Sequence, residues 1–196
     1  MPTDQSDATN QPDTTDQPDA TDQSDVTDPI AERVGDRFRE RDETLAAAES
    51  LTGGRVCTRL TNVPGASDYV DRGIVAYSNT AKRTELGVTR ESLDADGAVS
   101  EAVAREMAQG ARDTADTTWG VSTTGIAGPT GGTDEKPIGL VYVGVAYAAP
   151  WGSGSSFARA ERHVFDGDRQ AVAEQSAAAA LRALDESLDA VEADEQ

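Results

Sequence analysis

The segment 45–60, LAAAESLTGGRVCTRL, constrains the fold of this 196-residue chain more than any other part of it. Its short apolar run predicts a buried strand, and Gly53 and Gly54 permit a sharp turn after that strand. The helical spacing of Val56 and Leu60 then predicts a helix. Because the first N–H groups of a helix lack partners within it, such a turn suits an anion or an oxyanion, and Ser50 adds a hydroxyl there.

A second loop, 123–132 with the sequence TTGIAGPTGG, has the same glycine-rich chemistry and also follows a predicted strand. Ligands of open α/β sheets bind at the carboxyl ends of the strands. Both loops leave strands at those ends, so we predict that they share one site. The glycine spacing matches neither the dinucleotide-binding fingerprint nor the Walker A loop, which favours a general cradle for phosphate or carboxylate.

The order of predicted elements indicates the fold class, because strands alternate with helices at first and two strands then follow each other directly. The predicted strands span 45–48, 69–77, 118–124, 138–147 and 157–165. Helices are predicted at 78–86 and 169–188 and after the caps Asp28 and Ser100, with a turn at 94–97. This pattern predicts an α/β fold, a three-layer α/β/α sandwich with a mostly parallel mixed sheet.

Three segments of the chain differ in composition. Residues 1–28 form an imperfect acidic repeat of six residues with almost nothing apolar, so we expect a disordered tail. Residues 29–188 carry the predicted elements and form one domain of ordinary size. Residues 189–196 are acidic, and we expect them to fray.

The charge balance argues against several classes of function. The chain has 36 acidic and 17 basic residues and a formal net charge of -19, which argues against a nucleic-acid partner. Such an acid-rich surface is typical of proteins from salt-loving organisms. With one cysteine, Cys57, and one histidine, His163, neither an intrachain disulfide nor a His-rich metal site is possible. Without a span of roughly 20 apolar residues or a secretory signal, we expect a cytoplasmic protein that needs no metal and binds no membrane.

Ser50 is either the cap of its helix or a nucleophile, and a nucleophile needs a base. The flanks of His163 suggest an outward position on an edge strand, so Lys82 is the better candidate. Lys82 is one of two lysines in a chain that otherwise uses arginine, and a desolvated lysine can accept a proton near neutral pH. Tyr77, at the end of the second strand, relays a proton, orients the amine, or simply packs with its hydroxyl in water.

Three further residues each allow two interpretations. Glu49 either ligates a metal or fixes the turn through hydrogen bonds. Arg169, at the start of the last helix, either reaches a phosphate or pairs with Asp166. Cys57 lies within a predicted helix, where a core position is favoured over a reactive one.

Seven short stretches, in order along the chain, together resemble one protein family. They are AESLTGG (48–54), VPGAS (63–67), VAYSN (75–79) with Lys82, GAVS (97–100), TGIAGP (124–129) with Gly131 and Gly132, KP (136–137) and GDR (167–169). The family is the C-terminal domain of the competence-damage-inducible (CinA) proteins, whose stand-alone members are nicotinamide-nucleotide amidohydrolases. Leu51 departs from the family, which usually has cysteine there. Residues 1–28 do not resemble the separate N-terminal domain of longer members.

The resemblance implies that the chain hydrolyses the carboxamide of nicotinamide mononucleotide to nicotinate mononucleotide and ammonia, without a cofactor, as a homodimer. We expect Ser50 to be the nucleophile and Lys82 the base, with Tyr77 assisting. The expected substrate-binding residues are Glu49, Thr52, Gly53 and Gly54 around the oxyanion and Thr124, Gly125, Gly128 and Arg169 around the phosphate. Two rival interpretations stay open: a non-catalytic nucleotide-binding protein of the same fold, and an amidase for another small amide.

Overall fold

A computed structural model describes residues 28–194. Its α-helices are α1 (Pro29–Arg41), α2 (Arg55–Thr61), α3 (Asn79–Leu86), α4 (Arg90–Asp96), α5 (Glu101–Ala115) and α6 (Arg169–Asp194), with a 3₁₀ turn at Ala66–Asp68. Its strands are β1 (Leu45–Glu49), β2 (Val70–Val75), β3 (Trp119–Gly125), β4 (Leu140–Tyr147) and β5 (Phe157–Val164). The tail expected at 1–28 lies outside the described residues, apart from Asp28.

The five strands form one mixed sheet in the order β2-β1-β3-β4-β5. β1 pairs in parallel with both β2 and β3, whereas β4 is antiparallel to both of its neighbours. Four of the five strands therefore point the same way, which confirms the mostly parallel mixed sheet. Within 28–194, no helix is long and apolar enough to cross a membrane.

Helices cover both faces of the sheet, which confirms the three-layer sandwich. One face packs its apolar side chains, including Leu45 and Trp119, against α1, α2 and α6. On the opposite face, Ala46 and Ala48 pack against α3 and α5. β1 carries small or aliphatic residues because both of its faces are buried, a property of strands in the centre of α/β sheets.

The first helix begins where the sequence predicts. The Asp28 carboxylate accepts a hydrogen bond from the Ile30 N–H at 3.1 Å, and Pro29 occupies the first turn. Val34 and Phe38 are fully buried on one face of α1. The predicted caps Ser78 and Ser100 also accept hydrogen bonds from the first turns of α3 and α5.

Two expectations about helix extent are wrong. The segment expected to turn at 94–97 belongs to α4, which ends at Asp96 with Gly97 as its cap. The last helix does not end at 188 but continues to Asp194. Its acidic end is held to α1, because Arg37 forms ion pairs with Asp189 at 2.8 Å and Glu192 at 2.9 Å.

Glycines allow α5 to lie very close to the sheet. A Cβ built on Gly120 of β3 would lie 2.0 Å from the carbonyl oxygen of Ala108, and one on Gly144 of β4 would lie 2.4 Å from that of Ala104. Both obstructing atoms belong to the α5 backbone and cannot rotate away. This contact positions α5, whose N-terminal end adjoins the candidate site described below.

We predict that Gly120→Ala lowers the free energy of unfolding by about 1–3 kcal/mol, because the added methyl group overpacks a backbone contact. Denaturant unfolding in molar KCl measures the change. Gln109→Ala, on the exposed face of α5, is the control and should change the free energy of unfolding by less than about 0.5 kcal/mol. Equal stability of the two variants would contradict the close packing of α5.

Candidate active site

Ser50 and Lys82 meet at the carboxyl ends of two parallel strands. Ser50 directly follows β1, and Lys82 lies on α3, which follows β2. The Lys82 amine donates a hydrogen bond to Ser50 Oγ at 2.9 Å and to the carbonyl oxygens of Ala76 at 2.8 Å and Tyr77 at 3.4 Å. The parallel pairing of β1 and β2 brings these segments together, so the pair is a product of the sheet topology.

The Lys82 side chain is almost completely buried, with 1% of its surface exposed. Its three hydrogen-bond acceptors are uncharged, and burial lowers the pKa of its amine to about 8. Burial acts in this direction because it disfavours the charged ammonium. A useful share of the amine is therefore neutral near physiological pH and able to accept a proton from Ser50.

A cavity of about 260 Å³ opens beside this pair. Ser50 and Lys82 form one part of its wall, and the second glycine-rich loop forms another. The two loops thus border one cavity, and a shared functional site stays a prediction. The remaining lining residues are Leu51, Tyr77, Ala98, Val99 and Arg169.

Arg169 closes one side of the cavity. Its guanidinium donates to the carbonyl oxygen of Gly128 at 2.9 Å and to the hydroxyl of Tyr77 at 2.7 Å. These contacts use two of the five N–H donors of the group. Of the two interpretations of Arg169, the position in the cavity wall favours an anion-binding role over a pair with Asp166.

Tyr77 does not lie as expected for a proton relay. Its hydroxyl binds Arg169, and its side chain is 63% exposed. Only its backbone carbonyl contacts the Lys82 amine. Tyr77 therefore helps to orient the amine through its main chain, and the relay through its hydroxyl finds no support in this geometry.

Glu49 fixes the turn that follows β1. Its carboxylate, in a residue that is 1% exposed, accepts hydrogen bonds from the backbone N–H groups of Gly54 at 2.8 Å, Val56 at 3.1 Å and Cys57 at 2.9 Å. These bonds direct the carboxylate toward the turn and α2, and Glu49 does not line the cavity. A contact between Glu49 and the substrate stays a prediction. The Gly54 N–H is also engaged, so it is not a donor for an oxyanion.

The other residues expected around the oxyanion lie behind the cavity or beside it. Thr52 is fully buried, and its hydroxyl hydrogen-bonds to that of Thr123 at 2.7 Å, which ties the turn to β3. Gly53 borders a neighbouring cavity instead. Of the glycine-rich turn that follows β1, Ser50 and Leu51 line the cavity itself.

The residues expected around the phosphate line the cavity: Thr124, Gly125 and Gly128 in the loop after β3, together with Arg169. Thr124 donates its hydroxyl to the Ala98 carbonyl at 2.7 Å, so it also braces the wall. Gly128 has a φ of 79°, a backbone conformation that favours glycine. The loop is thus a shaped wall rather than a loose connection.

Sequence reasoning missed the opposite wall of the cavity. Ala98 and Val99, in the turn before α5, line it. Lys136, four residues after the second glycine-rich loop, donates to the carbonyl oxygens of Asp96 and, at 2.8 Å, Val99. The scarcity of lysine, which drew attention to Lys82, was also a signal for Lys136.

The remaining candidates lie apart from the cavity. His163 is on the edge strand β5 and does not line it. Burial, with the Glu49 carboxylate as a further cause, raises the pKa of the partly buried Cys57 thiol to about 12, so the thiol stays protonated. Within 28–194, no group of three or more His, Cys, Asp or Glu residues is arranged to hold a metal.

Comparison with known proteins decides the family. The sequence model described as the CinA C-terminal domain matches residues 27–188. The chain belongs to the CinA C-terminal domain family. It is 53% identical over 148 residues to a CinA-like protein of Salinibacter ruber, covering 76% of this chain and 34% of the relative. For a CinA-like protein of Chloroherpeton thalassium the identity is 47% over 162 residues, covering 83% and 38%. The chain thus spans about a third of the length of these relatives.

Solved structures of the CinA superfamily share the fold. The competence/damage inducible protein CihA from Agrobacterium tumefaciens has a TM-score of 0.74 and 37% identity, covering 82% of this chain and 94% of that chain. The competence damage-inducible protein A from Klebsiella pneumoniae has a TM-score of 0.76 and 32% identity, covering 82% and 96%. The described fold is thus that of CinA superfamily proteins.

We predict that Glu49→Ala lowers the free energy of unfolding by about 3 kcal/mol or more, because one buried and two partly buried backbone N–H groups lose their acceptor at roughly 1–3 kcal/mol each. Denaturant unfolding in molar KCl measures this loss. Glu40→Ala, at an exposed position on α1, is the matched control and should be near neutral. A Glu49→Ala protein as stable as this control would show that the carboxylate does not hold the turn.

Proposed function

We propose that the chain hydrolyses the carboxamide of nicotinamide mononucleotide to nicotinate mononucleotide and ammonia. The observation that carries this proposal is the 2.9 Å contact between Ser50 Oγ and the buried Lys82 amine at the base of a cavity. A serine beside a base of lowered pKa is the arrangement that activates a hydroxyl nucleophile. The family assignment supports the same chemistry.

In the first half of the reaction, Ser50 Oγ attacks the carboxamide carbon while the neutral Lys82 amine takes its proton. The carbonyl oxygen becomes an oxyanion, and backbone N–H groups of the cavity wall near Leu51 and the second glycine-rich loop are its proposed donors. The intermediate then collapses, the carbon–nitrogen bond breaks, and the Lys82 ammonium delivers its proton to the departing nitrogen. The products of this half are ammonia and an acyl ester on Ser50.

In the second half, water replaces ammonia and the same residues act in the same order. Lys82 takes a proton from water as the water oxygen attacks the ester carbonyl. Collapse of the second intermediate breaks the bond to Ser50 Oγ, which regains a proton from Lys82. The carboxyl product leaves as its anion and the released ammonia takes up its proton, so the sum is the amide plus water giving a carboxylate and ammonium.

Arg169 supplies the positive charge expected to bind the substrate phosphate. It lines the same cavity as Ser50 and contacts the second glycine-rich loop through Gly128. A guanidinium suits phosphate because its planar array of donors binds two oxygens together. This contact would fix the nucleotide with its carboxamide toward Ser50.

Two rival functions make different predictions. A binding protein of the same fold would bind the nucleotide without turnover, and Ser50 would serve only the local structure. An amidase for another small amide would release ammonia from a different substrate. Ammonia release from a panel of pyridine nucleotides and simple amides separates the three.

We propose in addition that the acidic surface keeps the protein hydrated in concentrated salt, that the protein is cytoplasmic, and that it forms a homodimer. The formal net charge of -19 supports the first of these. Stability in molar KCl against low salt, and mass in solution by light scattering, test the salt requirement and the dimer. All assays of this protein are therefore specified in molar KCl.

We predict that Ser50→Ala lowers the rate of ammonia release from nicotinamide mononucleotide by about a thousandfold or more, as expected when a nucleophile is removed. The exposed Ser67 gives the matched control, Ser67→Ala, which should keep the rate of the parent protein. Turnover that survives in Ser50→Ala would move the catalytic role to another residue. A folded parent protein without turnover would favour the binding protein.

We predict that kcat/KM rises with pH and levels off above about 8, because the reactive form of Lys82 is the neutral amine and its pKa is about 8. Below that pH each unit should lower kcat/KM by about tenfold. Lys82→Arg keeps a positive charge but cannot deprotonate in this range, so it should abolish turnover at every pH tested. Turnover retained with arginine would show that Lys82 is not the base.

A further inference from the structure

A second cavity, of about 280 Å³, adjoins the one that contains Ser50. Both cavities are lined by Leu51, Tyr77 and Arg169, and the 2.7 Å hydrogen bond between Tyr77 and Arg169 lies where the two meet. The second cavity is further lined by Gly53, Arg55, Gln170 and Ala173.

Positive charge is concentrated around this second cavity. Arg55 and Arg169 both line it. Arg55 donates through Nε to Glu174 at 2.8 Å and through a terminal nitrogen to the Thr52 carbonyl at 2.9 Å. These contacts use two of its five N–H donors. The Arg55 side chain is 37% exposed, so a ligand in the cavity has access to it.

One carboxylate serves two guanidinium groups here, which leaves a local excess of positive charge. Glu174 pairs with Arg55 at 2.8 Å and with Arg59 at 3.2 Å, and Arg59 also pairs with Asp28. Burial raises the pKa of Glu174, but the hydrogen bonds and charges of the two arginines outweigh it and lower the pKa below its usual value. Of the described residues, Arg55 and Arg169 line the second cavity and no Asp or Glu does, in a chain whose formal net charge is -19.

The proposed substrate needs more space and more positive charge than the first cavity offers. Ligand pockets usually hold roughly 300–1,000 Å³, and the first cavity, at about 260 Å³, is smaller than that range. A phosphate monoester carries a charge of about -1.5 to -2 near pH 7. Besides Lys82, which must be neutral to act as the base, the first cavity has one positive lining group, Arg169. The second cavity adds both volume and Arg55.

We propose that the two cavities form one bipartite site, in which the second cavity holds the phosphate of a pyridine mononucleotide between Arg55 and Arg169. The carboxamide then lies in the first cavity beside Ser50. Arg55 thereby selects the phosphorylated nucleotide over the nucleoside. This inference rests on the proposed function, because it assigns the other end of the same substrate.

Binding to the full chain with Ser50→Ala, measured by calorimetry in molar KCl, tests the proposal without turnover. The ligands are nicotinamide mononucleotide and nicotinamide riboside, which lacks the phosphate. Adding Arg55→Gln should raise the Kd of the mononucleotide by about tenfold or more, through loss of a charge-assisted contact, and leave the Kd of the riboside unchanged. Arg55→Lys should recover part of the affinity. Arg90→Gln, at an exposed arginine on α4, is the matched control and should change neither Kd.

Glu174→Gln separates phosphate binding from a structural role of the ion pair. This change breaks the Arg55–Glu174 pair but leaves Arg55 available, so the Kd of the mononucleotide should fall or stay the same. If the pair mattered only for the fold, Glu174→Gln and Arg55→Gln would both raise the Kd values of both ligands. That result, or a mononucleotide Kd within twofold of the parent in Arg55→Gln, would overturn the proposal.

The proposed reaction and the bipartite site can be refuted separately. Binding of the mononucleotide that depends on Arg55, together with no ammonia release by the parent protein, would support the bipartite site and refute the proposed reaction. Ammonia release by the parent protein with Arg55-independent binding would refute the site and leave the reaction standing. Absence of any mononucleotide binding would contradict both.

Discussion

The Lys82 amine lies in the protein interior with only hydroxyl and carbonyl oxygens as its hydrogen-bond partners. Burial makes the ammonium costly, and its pKa of about 8 reports that cost. The site depends on keeping this amine in contact with Ser50 Oγ, and two features of the fold hold it there. The parallel pairing of β1 and β2 sets the two segments side by side, and the cap Ser78 fixes the start of the helix that carries Lys82.

The buried carboxylate of Glu49 fixes the position of Ser50. Glu49 binds three N–H groups of the following turn and helix, so the chain leaves β1 along one path and presents Ser50 to the cavity. The same bonds occupy the Gly54 N–H, one of the donors that sequence reasoning had offered to an oxyanion. A backbone N–H group that stabilises the turn is not available to the substrate, and in this fold the Gly54 N–H stabilises the turn.

Local pattern predicted much of this architecture because the relevant interactions are short in sequence. The capped starts of α1, α3 and α5 and the two loops that meet at one cavity follow from residues near one another in the chain or from the rule on strand ends. The errors concern elements whose structure the local pattern does not show. The polar segment of α4 has no buried residue to show a helical period, and the acidic end of α6 is held by Arg37, which is remote in sequence. The direction of the Tyr77 hydroxyl depends on Arg169, which no local pattern reveals.

Titration of Lys82 by NMR shows whether its amine can act as the base. The sequence contains only two lysines, Lys82 and Lys136, so protein labelled with ¹³C at the lysine ε-carbon gives two signals, and Lys136→Arg assigns them. Because burial lowers its pKa, Lys82 should titrate with a midpoint of about 8 in folded protein in molar KCl. A midpoint near the ordinary lysine value of 10.5 would show an ammonium that stays charged through the physiological range, and would contradict its role as the base.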